Sequence, residues 1–215
     1  MLEMADLLIE YKANLDVRDC RVVTFALTEV RKEMFLKLVK AGANIDFLSN
    51  SPLLESVVTM NDISILEYLI EDKKIEINQE TKDLMLATAS SLNRYKFVEY
   101  LTILGADVHH NNEACIKDAC YRGHVEATKA LILAGADARV DNDFLICEAA
   151  KEGHFYIVAL LIDVGLSPNA NNGEPLRNAI MYKHKDIADL LRISMNIKVD
   201  EETVRHITNM RKCVL

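Results

Sequence analysis

Three histidines at equal spacing are the first residues of this sequence that could do metal chemistry. His124, His154 and His184 are separated by 30 residues each, and Cys120 stands four residues before His124. Imidazole and thiolate side chains bind zinc, but only where several ligands converge on one ion. A recurring interval of this size indicates a structural repeat, so each histidine belongs to a different repeat. We therefore expect histidines that hydrogen-bond to backbone at a turn, and no metal site.

The other reactive residue types lack a catalytic pattern. His109 and His110 are adjacent, and we expect them to be exposed contact residues rather than ligands. The sequence has no Gly-x-Ser-x-Gly elbow, P-loop, HExxH or dinucleotide-binding glycine motif. Its cysteines form an odd set without CxxC, which we interpret as reduced core residues of an intracellular protein. They are Cys20, Cys115, Cys120, Cys147 and Cys213. The sequence therefore predicts neither an enzyme nor a bound cofactor.

Net charge and hydropathy argue against two classes of partner. The formal net charge is −8, whereas nucleic-acid-binding proteins cluster Lys and Arg to neutralise phosphates. No stretch approaches the roughly 18 apolar residues that a membrane-spanning helix needs. The amino terminus lacks the basic region and small-residue cleavage site of a signal peptide. We expect an intracellular, cytoplasmic protein that binds neither nucleic acid nor membrane.

One leucine position recurs along the whole chain and defines the repeat. Its members are 30 to 32 residues apart, namely Leu8, Leu38, Leu69, Leu101, Leu131, Leu161 and Leu191. In four repeats a glycine follows four residues later, as Gly135 follows Leu131. Glycine at this place ends a helix in the left-handed conformation. Lys73 takes the glycine place in one repeat, where we expect an irregular or longer turn. The period predicts an all-α solenoid of stacked antiparallel helix pairs.

The best-preserved repeat carries the landmarks of a known family. Ala149-Ala150-Lys151-Glu152-Gly153-His154 is followed by Ile157-Val158-Ala159-Leu160-Leu161 and by Gly165. This combination resembles the ankyrin repeat, and the resemblance covers essentially the whole chain. Familiar ankyrin repeats have about 33 residues and open with Thr-Pro-Leu-His. Here only Glu174-Pro175-Leu176-Arg177 keeps part of that motif. The missing residues precede the first helix, so the projecting β-hairpin should be shortened to a tight loop.

The resemblance also suggests an origin and a domain layout. Short, degenerate units are similar to those of ankyrin proteins from large DNA viruses that infect amoebae, with bacterial or protist ankyrin proteins as the alternative. We expect a single ankyrin-repeat domain over residues 1–215. It would consist of a half repeat at 1–20, full repeats at about 21–49, 50–80, 81–111, 112–141, 142–171 and 172–199, and a capping helix at 200–215.

Ankyrin-like architecture implies a non-catalytic adaptor or scaffold that binds a partner protein. Stacking aligns the short loops and the exposed side of the first helices into one concave face, which repeat proteins use for recognition. By register, that face would include His109, His110, Asn111, Tyr121, Arg122, Arg139, Asp141, Asn142, Lys151, Glu152, Asn169, Asn171, Met181 and Tyr182. The plainer interpretation is that these are the variable exposed positions of any solenoid.

Two other functions compete with the adaptor. The chain could be a structural component of a virion or larger assembly that docks through its terminal half-repeats. It could also be a substrate, because loop asparagines are hydroxylated in the resembled family, and Asn111 or Asn142 would be the acceptors. The partner of an adaptor would be a host protein if the viral resemblance holds. No motif specifies an oligomeric state.

Overall fold

The fold is described from a computed structural model of the chain, over residues 6–7, 9–11, 17–196 and 201–211. Within these ranges the regular elements are all helical, so the predicted all-α fold of antiparallel helix pairs is confirmed. Contacts divide the chain into unit 1, residues 1–89 with 100–107, and unit 2, residues 90–99 with 108–215. The prediction of one domain stays a prediction. No helix in the described ranges has the length and apolarity to cross a membrane.

Unit 1 is built from short helices joined by tight turns. They are α1 Val17–Thr28, α2 Lys32–Lys40, α3 Glu55–Thr59 and α4 Ile63–Glu67, with 3-10 turns at Asp46–Leu48 and Pro52–Leu54. Helices α5 Gln79–Ser91 and α6 Tyr95–Ile103 contribute residues to both units. Helix α1 begins before residue 21, where the first full repeat was expected to start.

The repeating leucines Leu38, Leu69 and Leu101 are fully buried, and each contributes roughly 1.5 to 3 kcal/mol by leaving water. Leu8 lies outside the described residues.

The turn at Lys73 is irregular, as predicted from the missing glycine. Helix α4 runs into a π-helical turn, Tyr68–Asp72. There the backbone N–H of Lys73 donates to the Tyr68 carbonyl at 3.1 Å, five residues back. The wider turn takes up one more residue, so the left-handed conformation falls on Lys74, with φ 58°. The extra residue accounts for one of the two residues by which the interval from Leu69 to Leu101 exceeds 30.

Unit 2 holds three regular helix pairs and a final helix. The pairs are α7 His110–Tyr121 with α8 Val125–Leu133, α9 Val140–Glu152 with α10 Phe155–Asp163, and α11 Ala170–Met181 with α12 Lys185–Ser194. Helix α9 packs against α7 and α11, and α10 packs against α8 and α12. The final helix, α13 Glu201–Arg211, contacts α12. Each first helix therefore packs on the first helix of the next pair, which makes unit 2 a stack.

The core of this stack combines small residues on the first helices with large residues on the second helices. Ala119, Ala149 and Ala179 are fully buried on the first helices, where small side chains allow close approach. The second helices contribute the fully buried leucines of the repeat, Leu131, Leu161 and Leu191. Gly135 and Gly165 follow α8 and α10 with φ 102° and 94°, as predicted for the end of a helix. We call these repeating leucines the leucine ladder. Together with the glycines, they set the spacing of the helix pairs.

Each first helix of unit 2 opens with a left-handed turn in place of a β-hairpin. Three successive residues adopt positive φ in every repeat: Asn111, Asn112 and Glu113; Asp141, Asn142 and Asp143; and Asn171, Asn172 and Gly173. Asn, Asp and Gly tolerate this region best. The turn closes by bonds between residues four apart, such as Gly173 N–H to Asn169 O at 3.2 Å. The predicted tight loop is present, and its left-handed conformation was not foreseen.

Candidate functional site

The evenly spaced histidines join neighbouring repeats of unit 2. The Nε2 atoms of His124, His154 and His184 lie 2.9, 2.8 and 3.0 Å from the carbonyls of Ser91, Tyr121 and Lys151. Because a carbonyl only accepts, Nε2 carries the hydrogen in each ring. The predicted hydrogen bonds from turn histidines to backbone are confirmed. Among the described residues, no group of three His, Cys, Asp or Glu side chains could hold a metal ion.

The described thiols are placed as core residues rather than as nucleophiles. Cys115, Cys120 and Cys147 are free and buried. Burial raises the pKa of the Cys120 thiol to about 12, although a hydrogen bond with Thr128 opposes the shift. Burial and the nearby Glu174 carboxylate raise the pKa of Cys147 to about 11. Thiolate is the reactive form of cysteine, so burial disfavours the reactive form of Cys120 and Cys147 at neutral pH.

The residues predicted for the partner-binding face all fall in unit 2. Lys151 is half-buried, and the other thirteen are exposed, namely His109, His110, Asn111, Tyr121, Arg122, Arg139, Asp141, Asn142, Glu152, Asn169, Asn171, Met181 and Tyr182. Tyr121, Met181 and Tyr182 stand out, with exposed fractions of 54%, 64% and 46%. These apolar side chains all lie at the carboxyl ends of first helices or just beyond them. They form the most apolar part of the predicted face.

Most charges on this face already have a partner within unit 2. The Arg122 Nε donates to both carboxylate oxygens of Asp118 at 2.9 Å. An ion pair with Glu148 at 3.1 Å raises the pKa of Lys151. The Lys117 ammonium, 2.6 Å from Asp141, holds the pKa of that carboxyl below its usual range. Such partly exposed pairs contribute little to stability, but they orient the charged groups within and between the helices.

Two residues of the predicted face, His109 and Arg139, also make contacts within the loops of unit 2. His109 is exposed, but its Nδ1 contacts the carboxylate of Glu113, which is buried with Oε2 lacking a hydrogen-bond partner. Arg139 is exposed, but its guanidinium donates to the Gly165 carbonyl at 2.6 Å. Both side chains therefore hold the loops of unit 2 in place. Their part in binding a partner stays a prediction.

A groove lies between helices α7 and α9. It has a volume of about 430 Å³, within the ~300–1,000 Å³ range of ligand pockets. Of the predicted face residues, Asn111 and Tyr121 line it. The other lining residues are Ala114, Lys117, Asp118, Cys120, Phe144, Leu145 and Glu148. We call this feature the α7–α9 groove.

Sequence reasoning missed the two residues that open this groove. Ala114 and Phe144 occupy the same position in successive repeats, 30 residues apart. The small Ala114 leaves space, and the partly exposed Phe144 forms one side of it. A small residue on one layer beside a bulky one on the next is visible in an aligned repeat. The repeat register identifies exposed positions. It does not identify the space between side chains of neighbouring repeats, so the pairing of Ala114 with Phe144 was not predicted.

Comparison with protein-family models identifies part of unit 2. A family model described as ankyrin repeats, in three copies, matches residues 116–203. A search of curated proteins finds no match. The matched segment covers most of unit 2, including Tyr121, Met181 and Tyr182, and begins after His109, His110 and Asn111. Ankyrin repeats are generally protein–protein interaction modules, and the family is typically non-catalytic.

Proposed function

We propose that this chain is a non-catalytic adaptor that binds a partner protein on the exposed side of the first helices of unit 2. The observation that carries the proposal is the exposure of Tyr121, Met181 and Tyr182 beside charges that are already paired. Tyrosine and methionine are enriched at protein interfaces, and tyrosine and arginine often dominate the binding energy. A partner can cover these side chains without leaving an unpaired charge.

The repeat register supports a continuous binding surface. Tyr121, Lys151 and Met181 occupy one position in three successive repeats, and Arg122, Glu152 and Tyr182 occupy the next. Because α9 packs between α7 and α11, these two rows run across all three first helices. Such a surface suits an extended partner segment.

An intracellular location is part of this proposal. Its support is that Cys115, Cys120 and Cys147 are free thiols, as is usual in a reducing compartment. A host cytoplasm or a virion would be the setting if the chain comes from a virus, and a host protein would then be the partner. Hydroxylation of Asn111 or Asn142 stays a separate prediction, and intact-mass measurement on protein from its native source would detect the added oxygen.

Cross-linking mass spectrometry in the native lysate tests the adaptor. The wild type is compared with Tyr121→Ala/Arg122→Ala/Tyr182→Ala and with a matched control, Glu126→Ala/Leu133→Ala/Tyr156→Ala. The control changes exposed residues of the second helices. We expect cross-links to one partner that disappear in the first variant and persist in the control. Equal loss in both variants, or no loss in either, would contradict the proposed face.

One observation favours the structural-component alternative. Cys120, Ala150 and Ile180 occupy the same stacking position, yet Cys120 and Ala150 are buried and Ile180 is 53% exposed. The last pair of unit 2 thus exposes an apolar residue where earlier pairs are covered. Cross-links to many copies of an assembly protein, centred on residues 1–15 or 201–215 and indifferent to the triple variant, would favour this alternative over the adaptor.

A further inference from the structure

The α7–α9 groove combines an apolar floor with charged walls. Leu145 and Cys120 are almost fully buried at its floor, and Ala114 beside them is half-buried. Tyr121 and Phe144 are exposed aromatic side chains in its lining. Burying a large apolar side chain here removes apolar surface on both partners from water, which favours binding. The groove therefore favours a bulky aliphatic or aromatic anchor.

The groove lining has more acidic than basic side chains. Lys117 is the one cation in its lining, whereas Asp118 on α7 and Glu148 on α9 place a carboxylate on each helix. The partners of these two acids, Arg122 and Lys151, are not part of the lining. The lining thus holds two carboxylates and one ammonium, and the ion-pair partners of all three, Arg122, Lys151 and Asp141, lie just outside it. The chain as a whole has a net charge of −8.

Both carboxylates can accept a further donor. An ionised carboxylate has about four lone-pair sites, and Arg122 and Lys151 leave some of them open on Asp118 and Glu148. The Asp118 side chain is 37% exposed and that of Glu148 is 21% exposed. An incoming ammonium or guanidinium can join either pair, whereas an incoming carboxylate meets like charge.

From these features we infer that the α7–α9 groove binds a basic amphipathic segment of the partner, with one bulky apolar side chain in the groove and Lys or Arg beside it contacting Asp118 and Glu148. This inference rests on the proposed function, because it names the chemistry that the same face recognises. An acidic segment and a polyanion are disfavoured by the carboxylates of Asp118 and Glu148 and by the chain's net charge of −8.

Selection from a random-peptide display library against the full chain tests this inference. We expect wild type to enrich peptides in which Leu, Phe, Met or Trp stands near Lys or Arg. The Phe144→Ala variant should bind a selected peptide about tenfold more weakly, the loss that removing one important anchor contact produces. Tyr156→Ala is the matched control, because Tyr156 is 40% exposed, close to the 42% of Phe144, and lies outside the groove.

Charge variants separate the basic preference from the apolar anchor. With Asp118→Lys/Glu148→Lys we expect selection of acidic flanks around the same apolar anchor. If that variant fails to fold, Asp118→Asn/Glu148→Gln replaces it, and the selected peptides should keep the anchor and lose the basic preference. Thermal unfolding monitored by circular dichroism establishes that each variant is folded.

Three outcomes overturn the inference: no enrichment over a selection without protein, enrichment without basic residues, or binding that Tyr156→Ala weakens as much as Phe144→Ala does. The lysate cross-linking distinguishes these failures from failure of the adaptor. If peptide selection fails but cross-links are still lost in the Tyr121→Ala/Arg122→Ala/Tyr182→Ala variant, the groove chemistry is wrong and the face remains. If the cross-links also persist in that variant, the proposed function is wrong.

Discussion

The imidazole of His154 packs on Gly123 so closely that a Cβ added to this glycine would lie 2.7 Å from Nδ1. The ring is held there by its hydrogen bond to the Tyr121 carbonyl. His184 and Gly153 repeat the arrangement one pair later, at 2.6 Å from Cε1. Each glycine therefore has two roles, since it adopts positive φ and also leaves room for the histidine of the next repeat.

This contact predicts that Gly123→Ala is more destabilising than Gly135→Ala. Both glycines have positive φ, at 74° and 102°, so each alanine carries a left-handed strain of about 1–2 kcal/mol. Nothing lies within 4 Å of a Cβ at Gly135, so only Gly123→Ala also displaces a histidine. Urea unfolding followed by circular dichroism measures both free energies. In the His154→Ala background, adding Gly123→Ala should cost no more than Gly135→Ala does in the wild type. Equal losses in the two single glycine variants would contradict the steric role.

The leucine ladder predicts a large difference between two leucines of one helix. Leu131 is fully buried and Leu133 is 77% exposed on α8. Leu131→Ala should lower the free energy of unfolding by about 2–5 kcal/mol, because it removes buried methyl groups and leaves a cavity. Leu133→Ala should change it by less than about 0.5 kcal/mol. Urea unfolding of both variants measures the difference, and similar losses would mean that Leu131 does not hold the stack together.

Burial of the thiols predicts slow alkylation of the folded chain. At about pH 8.5 an ordinary cysteine is half ionised. The pKa values of Cys120 and Cys147 are raised to about 12 and 11, so their thiolates form only as the pH rises towards those values. Peptide mass spectrometry after iodoacetamide treatment should find both unmodified in the native protein and modified in urea. Rapid native labelling at pH 8.5 would contradict the burial that raises their pKa values.

The ion pair across neighbouring repeats predicts a titration shift at Asp141. Its pKa is lowered chiefly by the hydrogen bond from Lys117. A folded pKa below the unfolded one stabilises the fold above the unfolded pKa, and this contribution is lost as the pH falls through the folded pKa. Lys117→Met should raise the pKa of Asp141 towards its ordinary value in an NMR titration. An unchanged pKa would show that Lys117 does not contact Asp141 in solution.

The parts of the fold that could be predicted from sequence are those that each repeat specifies locally. Leu131 is recognisable as a buried residue of α8, and Gly135 as the residue that ends this helix with positive φ. The role of His154 as a turn residue follows from its position in the repeat. The left-handed turn at Asn111–Glu113 could not be foreseen, because Asn-rich segments fit many loop conformations. Its signal, a polar run of Asn, Asp, Glu and Gly recurring at the repeat interval, is clear only in an aligned repeat.

The candidate site was harder to predict because it depends on pairs of residues from different repeats. Tyr121 could be assigned to the exposed face from register alone. The groove beside it depends on the space that Ala114 leaves near Phe144, and the availability of Arg139 depends on its bond to the Gly165 carbonyl. The repeat register shows which side of a helix a residue occupies. It does not show how far that residue lies from a residue of the next repeat.

The most direct test of the interaction face is hydroxyl-radical footprinting of the chain, alone and with the partner that cross-linking identifies. Tyr121, Met181 and Tyr182 are exposed on the proposed face, and Tyr156 on α10 is exposed outside it. We predict that the partner slows oxidation of the first three side chains and leaves Tyr156 unchanged. Protection of Tyr156 with undiminished oxidation of Tyr121, Met181 and Tyr182 would contradict the central claim.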